Sequence, residues 1–189
     1  MIRIFEFDAL KPEEILNRDI RAEASVEATV DAIIADVRAR GDAALKDYAL
    51  KFDHAQLDEL RVSQAEIDEA FEAAGEDFVT TLKMAAANIR AFHEAQKDRS
   101  WFLTRDDGTI LGQKIEAVDR AGLYVPGGRG GNTPLISSLL MTAIPAQAAG
   151  VREIAVVTPP RADGTLNPHI LAAAHLLVQR FKAKAGGLV

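Results

Sequence analysis

The sequence predicts an α/β protein: a helical N-terminal segment followed by a strand–helix–strand–helix unit of the kind that builds a parallel sheet. Three observations carry that reading. Before about residue 100, apolar residues recur every three or four positions, the helical period; after about residue 108 they gather into short β-branched runs between helical stretches. Gly41 and Gly75 are the only glycines in the first 100 residues of a 189-residue chain that holds 13. From Ala121 to about Arg180 the order is strand, Gly/Pro-rich loop, helix, strand, helix.

The first helix is expected from Ser25, a capping residue type, to Arg40. Val26, Val30, Ile33, Ile34 and Val37 form its apolar stripe, and Gly41 stands where the chain must leave the helix at positive φ. Asp42 then caps a shorter helix carrying Leu45, Tyr48, Ala49 and Phe52. Ser63-Gln64-Ala65-Glu66 has the form of a capping box, in which a hydroxyl and a carboxylate satisfy N–H groups that the first turn leaves free. Ile67, Ala70, Phe71 and Ala74 follow on one face, and Gly75 closes that helix. The longest helix is predicted from about Asp77 to Gln96, with Phe78, Leu82, Ala85, Ile89 and Phe92 in line.

Trp101-Phe102-Leu103 and Ile110 to Ile115 read as strands around the Asp107-Gly108 turn, a hairpin signal. Ala121 to Val125 is an apolar strand stopped by Pro126-Gly127-Gly128-Arg129-Gly130-Gly131. Thr133-Pro134 is expected to open the next helix, with Pro at the first helical position, where its missing N–H costs nothing. That helix carries Leu135, Leu139, Leu140 and Ala143, is expected to bend or break at Pro145, and ends at Gly150. Ile154 to Thr158 is a continuous apolar run suited to burial on both faces of a parallel sheet. Asn167-Pro168 starts a final helix through about Arg180, with Ile170, Leu171, Ala174, Leu177 and Val178 inward.

Composition narrows the function classes. With 22 Lys+Arg against 28 Asp+Glu the formal charge is −6, and no basic block offers a face for nucleic acid. The absence of Cys excludes disulfides, thiolate catalysis and thiolate metal sites. The first thirty residues hold no apolar signal-peptide region, and no apolar run approaches the roughly 20 residues that span a bilayer. The expectation is a cytoplasmic protein with neither a nucleic-acid nor a membrane partner.

Glycines between a strand and a helix invite a phosphate-binding reading, because backbone N–H groups and the helix dipole favour an anion there. The details fit poorly. A G-x-G-x-x-G pattern begun at Gly128 would need glycine where Thr133 stands, and Asn132-Thr133-Pro134 is not the Gly-Lys-Ser/Thr end of a P-loop. The next strand ends in Thr158-Pro159-Pro160 rather than in an acid for a ribose. A turn that merely reverses the chain is the competing reading. His169 and His175, six positions apart on one helix, cannot chelate a metal as an i, i+4 pair would, and His54 and His93 are expected on separate helices. Ser137 and Ser138 could meet an anion but equally serve packing or capping. No catalytic constellation and no metal ligands are legible in the residues themselves.

The stretch Gly122 to Pro160, GLYVPGGRGGNTPLISSLLMTAIPAQAAGVREIAVVTPP, resembles the signature region of the histidinol dehydrogenase family. Segments similar to that family also occur in order at Val37–Leu45, Lys51-Phe52-Asp53, Ala87–His93, Leu166-Asn167-Pro168 and Leu171–Ala174. The resemblance implies two-step, NAD-dependent oxidation of the amino alcohol histidinol to histidine, with zinc, in a homodimer with Rossmann-like domains. It also implies an organisation of 1–120, the helical part of a first domain, and 121–189, the start of a second, incomplete Rossmann-like domain. Of the family's cofactor contacts it carries over one, Tyr124, whose ring would offer an apolar face and a polar tip to NAD.

The next contact in the family is a Gln in a G-G-A-Q motif, where this chain has Gly186-Gly187-Leu188-Val189, and Leu177–Lys184 is too polar for the apolar strand that precedes it. The resemblance therefore implies the front portion of such an enzyme, ending before the zinc ligands, the substrate contacts and the Glu-His acid/base pair. An altered reading frame or a damaged gene copy accounts for the polar stretch better than a designed shortening does. On this reading the chain alone is inactive. The alternatives are a non-catalytic module retained for association through its N-terminal helices, and a relative acting on another small alcohol.

Overall fold

The structure, a computed structural model, describes residues 20–128 and 133–178, with side chains from 26 to 128 and from 133 to 177. The chain divides into two compact units, Met1–Gly41 and Asp42–Val189. In the first, helix α1 (Ile20–Arg40) starts five residues before Ser25, so Ser25 lies within the helix and does not cap it. Val26, Val30 and Ile34 of the stripe are exposed, with Ile33 and Val37 half-buried. Gly41 takes φ 57° and its N–H donates to the Val37 carbonyl at 2.8 Å, which ends the helix as its position implies.

The second unit begins with α2 (Asp42–Tyr48), in which Asp42 is the first helical residue rather than the cap before it. Its last turn widens into a π-helical segment, Ala49–Asp53, where Tyr48 and Phe52 stack at 5.7 Å between ring centroids. His54 closes that turn at φ 58°, outside any helix, contrary to its expected helical place. The capping box forms before α3 (Gln64–Ala73): Ser63 Oγ accepts from the Glu66 N–H, and the Glu66 carboxylate accepts from the Ser63 N–H at 2.8 Å. Helix α4 (Glu76–Ala95) places Leu82 in the core, with Phe78, Ala85 and Ile89 packed beside it, while Phe92 is exposed.

Strands β1 (Trp101–Thr104) and β2 (Ile110–Gln113) pair antiparallel, Trp101 opposite Gln113 and Thr104 opposite Ile110. A separate two-stranded parallel sheet joins β3 (Arg120–Tyr124) to β4 (Glu153–Val157), with α5 (Ile136–Ala148) as the crossover. Helix α6 (Pro168–Val178) follows, so the α/β class and the strand–helix–strand–helix order both hold. Leu139, Leu140, Ala143 and Ile144 of α5 meet Leu82 of α4, Ile170, Ala173 and Leu177 of α6, and Val125 just beyond β3. Gln147 ties the three helices together: its side-chain oxygen accepts from Arg90 of α4 at 2.5 Å, and its NH2 donates to the Leu177 carbonyl at 3.2 Å.

Three expectations for this half are corrected. Pro134 does not open α5, which starts two residues later behind Leu135, because the chain at Thr133 is still folded back against Gly128. Pro145 neither ends nor splits the helix: the lost N–H is offset by burial of Ile144 and Ala148 on either side, and the Ala149 N–H still reaches the Pro145 carbonyl at 2.8 Å. Only Ile154 of the apolar run in β4 is buried, with Ala155, Val156 and Val157 half-buried, because a two-stranded sheet covers neither face completely. By contrast Pro168 is the first residue of α6, and the buried Asn167 caps it by accepting the His169 N–H at 3.0 Å.

Candidate functional site

Parallel strands bring their carboxyl ends to one edge, and that edge is where open α/β sheets collect ligands. Here it comprises Tyr124 with the loop after it and Thr158 with Pro159-Pro160 after β4. Tyr124 sits opposite Val157 in the register, and the Val125 N–H extends the ladder to the Val157 carbonyl at 2.8 Å. Because alternate residues of β3 face opposite ways, Val125 points into the core while Tyr124 stays 64% exposed. An exposed aromatic at a strand end is a surface on which a flat heteroaromatic ring can stack.

The loop beside it is tightly folded. Gly127 is buried, and Gly128 takes φ 67° with its Cα against the Thr133 carbonyl, so a Cβ there would overlap that oxygen. Gly128 and Thr133 are thus in close contact; Arg129 to Asn132 lie outside the described residues. Ser137 is exposed in the first turn of α5 and Ser138 half-buried, with the Ser138 carbonyl accepting from the Thr142 hydroxyl at 2.7 Å. Val189 also lies outside the described residues.

A cavity of about 320 Å³ opens beside the carboxyl end of β4, within the second unit. Val156, Val157 and Thr158 form one wall, Ile170, Leu171 and Ala174 of α6 another, and Leu45, Leu60, Val62 and Ile67 face them. Its polar margin holds Glu59, Arg61 and Glu66. The Glu66 carboxyl is held below the usual carboxylate range, chiefly by the Ser63 hydroxyl and then by the Ser63 N–H, with a small opposing effect of burial. Thr158 Oγ1 is buried and has no hydrogen-bond partner among the described residues, as is also true of Arg161 Nε. Tyr124 does not line this cavity, although its register partner Val157 does. Thr158 and the cavity were not singled out from the sequence. A polar residue closing the apolar run Ile154–Val157 was the available signal.

Two of the histidines, His169 and His175, serve packing. His169 meets Phe78 edge-on at 4.8 Å, tying α6 to α4. His175 stacks on Phe71 at 4.1 Å and its Nδ1 lies 3.0 Å from Asp68 Oδ1, tying α6 to α3. His93 contacts Gln96 at 2.7 Å on the exposed end of α4. Among the described residues no group of three or more His, Cys, Asp or Glu could hold a metal ion, so zinc does not fit the part of the chain described. No helix among them is long and apolar enough to cross a membrane.

Comparison with known proteins places this geometry. The family model described as histidinol dehydrogenase matches residues 16–188. A histidinol dehydrogenase of Nitratidesulfovibrio vulgaris is 59% identical over 155 residues, covering 81% of this chain and 36% of its own length. One from Symbiobacterium thermophilum is 47% identical over 191 residues, covering 99% of this chain and 42% of its own. The crystal structure of histidinol dehydrogenase from Elizabethkingia anophelis superposes with a TM-score of 0.76 at 36% identity, over 86% of this chain and 37% of that one. The chain thus spans between about a third and two fifths of the length of these relatives.

Proposed function

The chain belongs to the histidinol dehydrogenase family, an oxidoreductase family, and from that premise we propose that it is the cofactor-facing front portion of an NAD-dependent oxidation of histidinol to histidine. The observation that carries the proposal is Tyr124: it ends β3 within the Gly122–Gly128 segment, exposed beside the close contact of Gly128 with Thr133. NAD, when bound, accepts the hydride from the alcohol carbon. What this chain does toward it is bind and orient: the Tyr124 ring supplies a stacking face, and the loop fixes how closely the backbone approaches. Thr158 Oγ1, a buried hydroxyl without a partner among the described residues, supplies a donor at the same sheet edge.

Hydride removal also needs a base to take the hydroxyl proton, and in zinc-dependent relatives a Lewis acid. His169, His175 and the Glu66 carboxylate are engaged in packing and capping contacts, and no step is assigned to them. On this reading the chain alone turns over no substrate, and it acts as part of a homodimeric assembly only together with the portion of the family fold it does not span. Residues 121–189 then open a second Rossmann-like domain behind a helical part, 1–120. Titration calorimetry with NAD tests the cofactor assignment. Weak binding is expected, and Tyr124→Ala should weaken it roughly tenfold, in the range of one lost aromatic stack. Binding that Tyr124→Ala leaves unchanged overturns the assignment.

The exposed stripe Val26, Val30 and Ile34 on α1 favours a second reading, a module that associates with a full-length homologue and carries no chemistry. Co-expression with such a homologue and co-purification separates the two: capture lost on Val30→Asp supports it, and no capture removes it.

A further inference from the structure

Helix α6 packs on α3 through an apolar seam, and one polar pair crosses it. The His175 ring lies 12° from parallel to the Phe71 ring, 4.1 Å between centroids, with 17% of its side chain exposed. Its Nδ1 is 3.0 Å from Asp68 Oδ1, and because a carboxylate can only accept, the imidazole donates. Gln64 Nε2 donates to the same oxygen at 2.8 Å and so steadies the carboxylate from its own helix. The residues next to this pair in the chain, Ile67 on α3 and Ala174 on α6, line the cavity of about 320 Å³ beside β4. The pair therefore joins two elements of the cavity wall.

We propose that His175 and Asp68 form a proton-operated clasp between α3 and α6, which tightens the cavity wall in mild acid and loosens it above neutral pH. The Nδ1 hydrogen bond persists in both states. A proton taken up at Nε2 turns it into a cation–carboxylate bond and sets a cation on the Phe71 face. Imidazole ordinarily takes that proton near pH 6.5, so the clasp works between about pH 6 and about pH 8. Asp68 is the charge in contact with the ring. Helix α6 carries one other titratable group, His169, which meets Phe78 of α4, and α5 carries none. Glu66, Glu69 and Glu72 of α3 and Glu76, Asp77 and Lys83 of α4 are exposed, while Arg90, His93 and Glu94 of α4 engage Gln147, Gln96 and Lys97. Glu59 and Arg61 lie across the cavity. The Glu66 carboxyl, held below 4.5, stays ionised throughout that window.

The test compares urea unfolding of the full chain, of Asp68→Asn and of His175→Gln at about pH 6 and about pH 8, followed by far-UV circular dichroism. His54, His93 and His169 are common to all three, so differences between them report His175. Each substitution is expected to raise the unfolding constant, and by roughly three- to tenfold more at the lower pH. A penalty equal at both pH values, or larger at the higher one, makes the contact merely structural and overturns the proposal. Should Asp68→Asn not fold, His175→Gln carries the same comparison. The chain has no Cys, so Val157→Cys on β4 sets a single thiol in the cavity wall. Its reaction with dithiodipyridine should be several-fold slower than that of Val157→Cys combined with Asp68→Asn at the lower pH, and near parity with it at the higher. A ratio indifferent to pH overturns the link between clasp and cavity. No readout uses NAD or histidinol, so the clasp and the cofactor assignment can fail separately.

Discussion

Replacing Gly128 by alanine separates a shaped loop from a turn that merely reverses the chain. At φ 67° a residue with a Cβ costs about 1–2 kcal/mol. The added methyl would also overlap the Thr133 carbonyl oxygen, a backbone atom that cannot swing away as a side chain would. Overpacking of this kind typically adds about 1–3 kcal/mol. Gly128→Ala is therefore expected to destabilise the chain by roughly 2–5 kcal/mol, with each kcal/mol lowering Tm by about 2–4 °C in a chain of this size. The matched control is Gly122→Ala, six residues earlier in β3, where φ is not positive and a Cβ meets nothing within 4 Å. That change should be neutral or stabilise by about 0.4–1 kcal/mol through the unfolded state. Urea unfolding followed by far-UV circular dichroism measures both. Equal stability of the two variants would refute the close contact of Gly128 with Thr133.

Further expectations follow from the core and the caps. Leu139→Ala removes three buried carbons at a fully buried position and should cost about 3–4 kcal/mol, whereas Leu135→Ala, exposed just before α5, should cost under about 1 kcal/mol in the same urea assay. Ser63→Ala should cost about 1 kcal/mol near neutral pH. Because the folded state holds the Glu66 carboxyl below its ordinary value of 4.5, its share of the box is present above that value and lost as pH falls through the lower folded one. The wild-type advantage over Ser63→Ala should therefore narrow below about pH 4.5 in acid unfolding curves, and a gap that widens there would contradict the assigned hydrogen bonds. The chain alone should bind ANS and self-associate, since the β1–β2 strands expose apolar residues and the β3–β4 sheet has open edges among the described residues; a monodisperse, cooperatively unfolding monomer would argue against that.

Local signals in the sequence were readable wherever one physical cause dominated. The Ser63–Glu66 box, the Gly41 exit and the Asn167-Pro168 start depend on a few adjacent residues and form as expected. Proline failed twice for tertiary reasons: Pro134 is displaced from the helix by the Gly128–Thr133 closure, and Pro145 is carried within it by burial on both sides. The hairpin was legible as strands, but its exposure was not, because alternation cannot say whether an apolar face is covered. At the candidate site Tyr124 came through family resemblance alone. The cavity at Thr158 needed three dimensions, since its walls come from residues as distant as Leu45 and Ala174. Gln147, a polar residue bridging three helices, left no pattern in the sequence at all.

If these residues face the cofactor and do not contain the chemistry, this chain by itself oxidises no histidinol. NADH formation from histidinol, followed at saturating NAD and zinc, tests it most directly. A background rate is expected for this chain alone, and measurable turnover once the rest of a family chain is supplied. Clear turnover by this chain alone would contradict it.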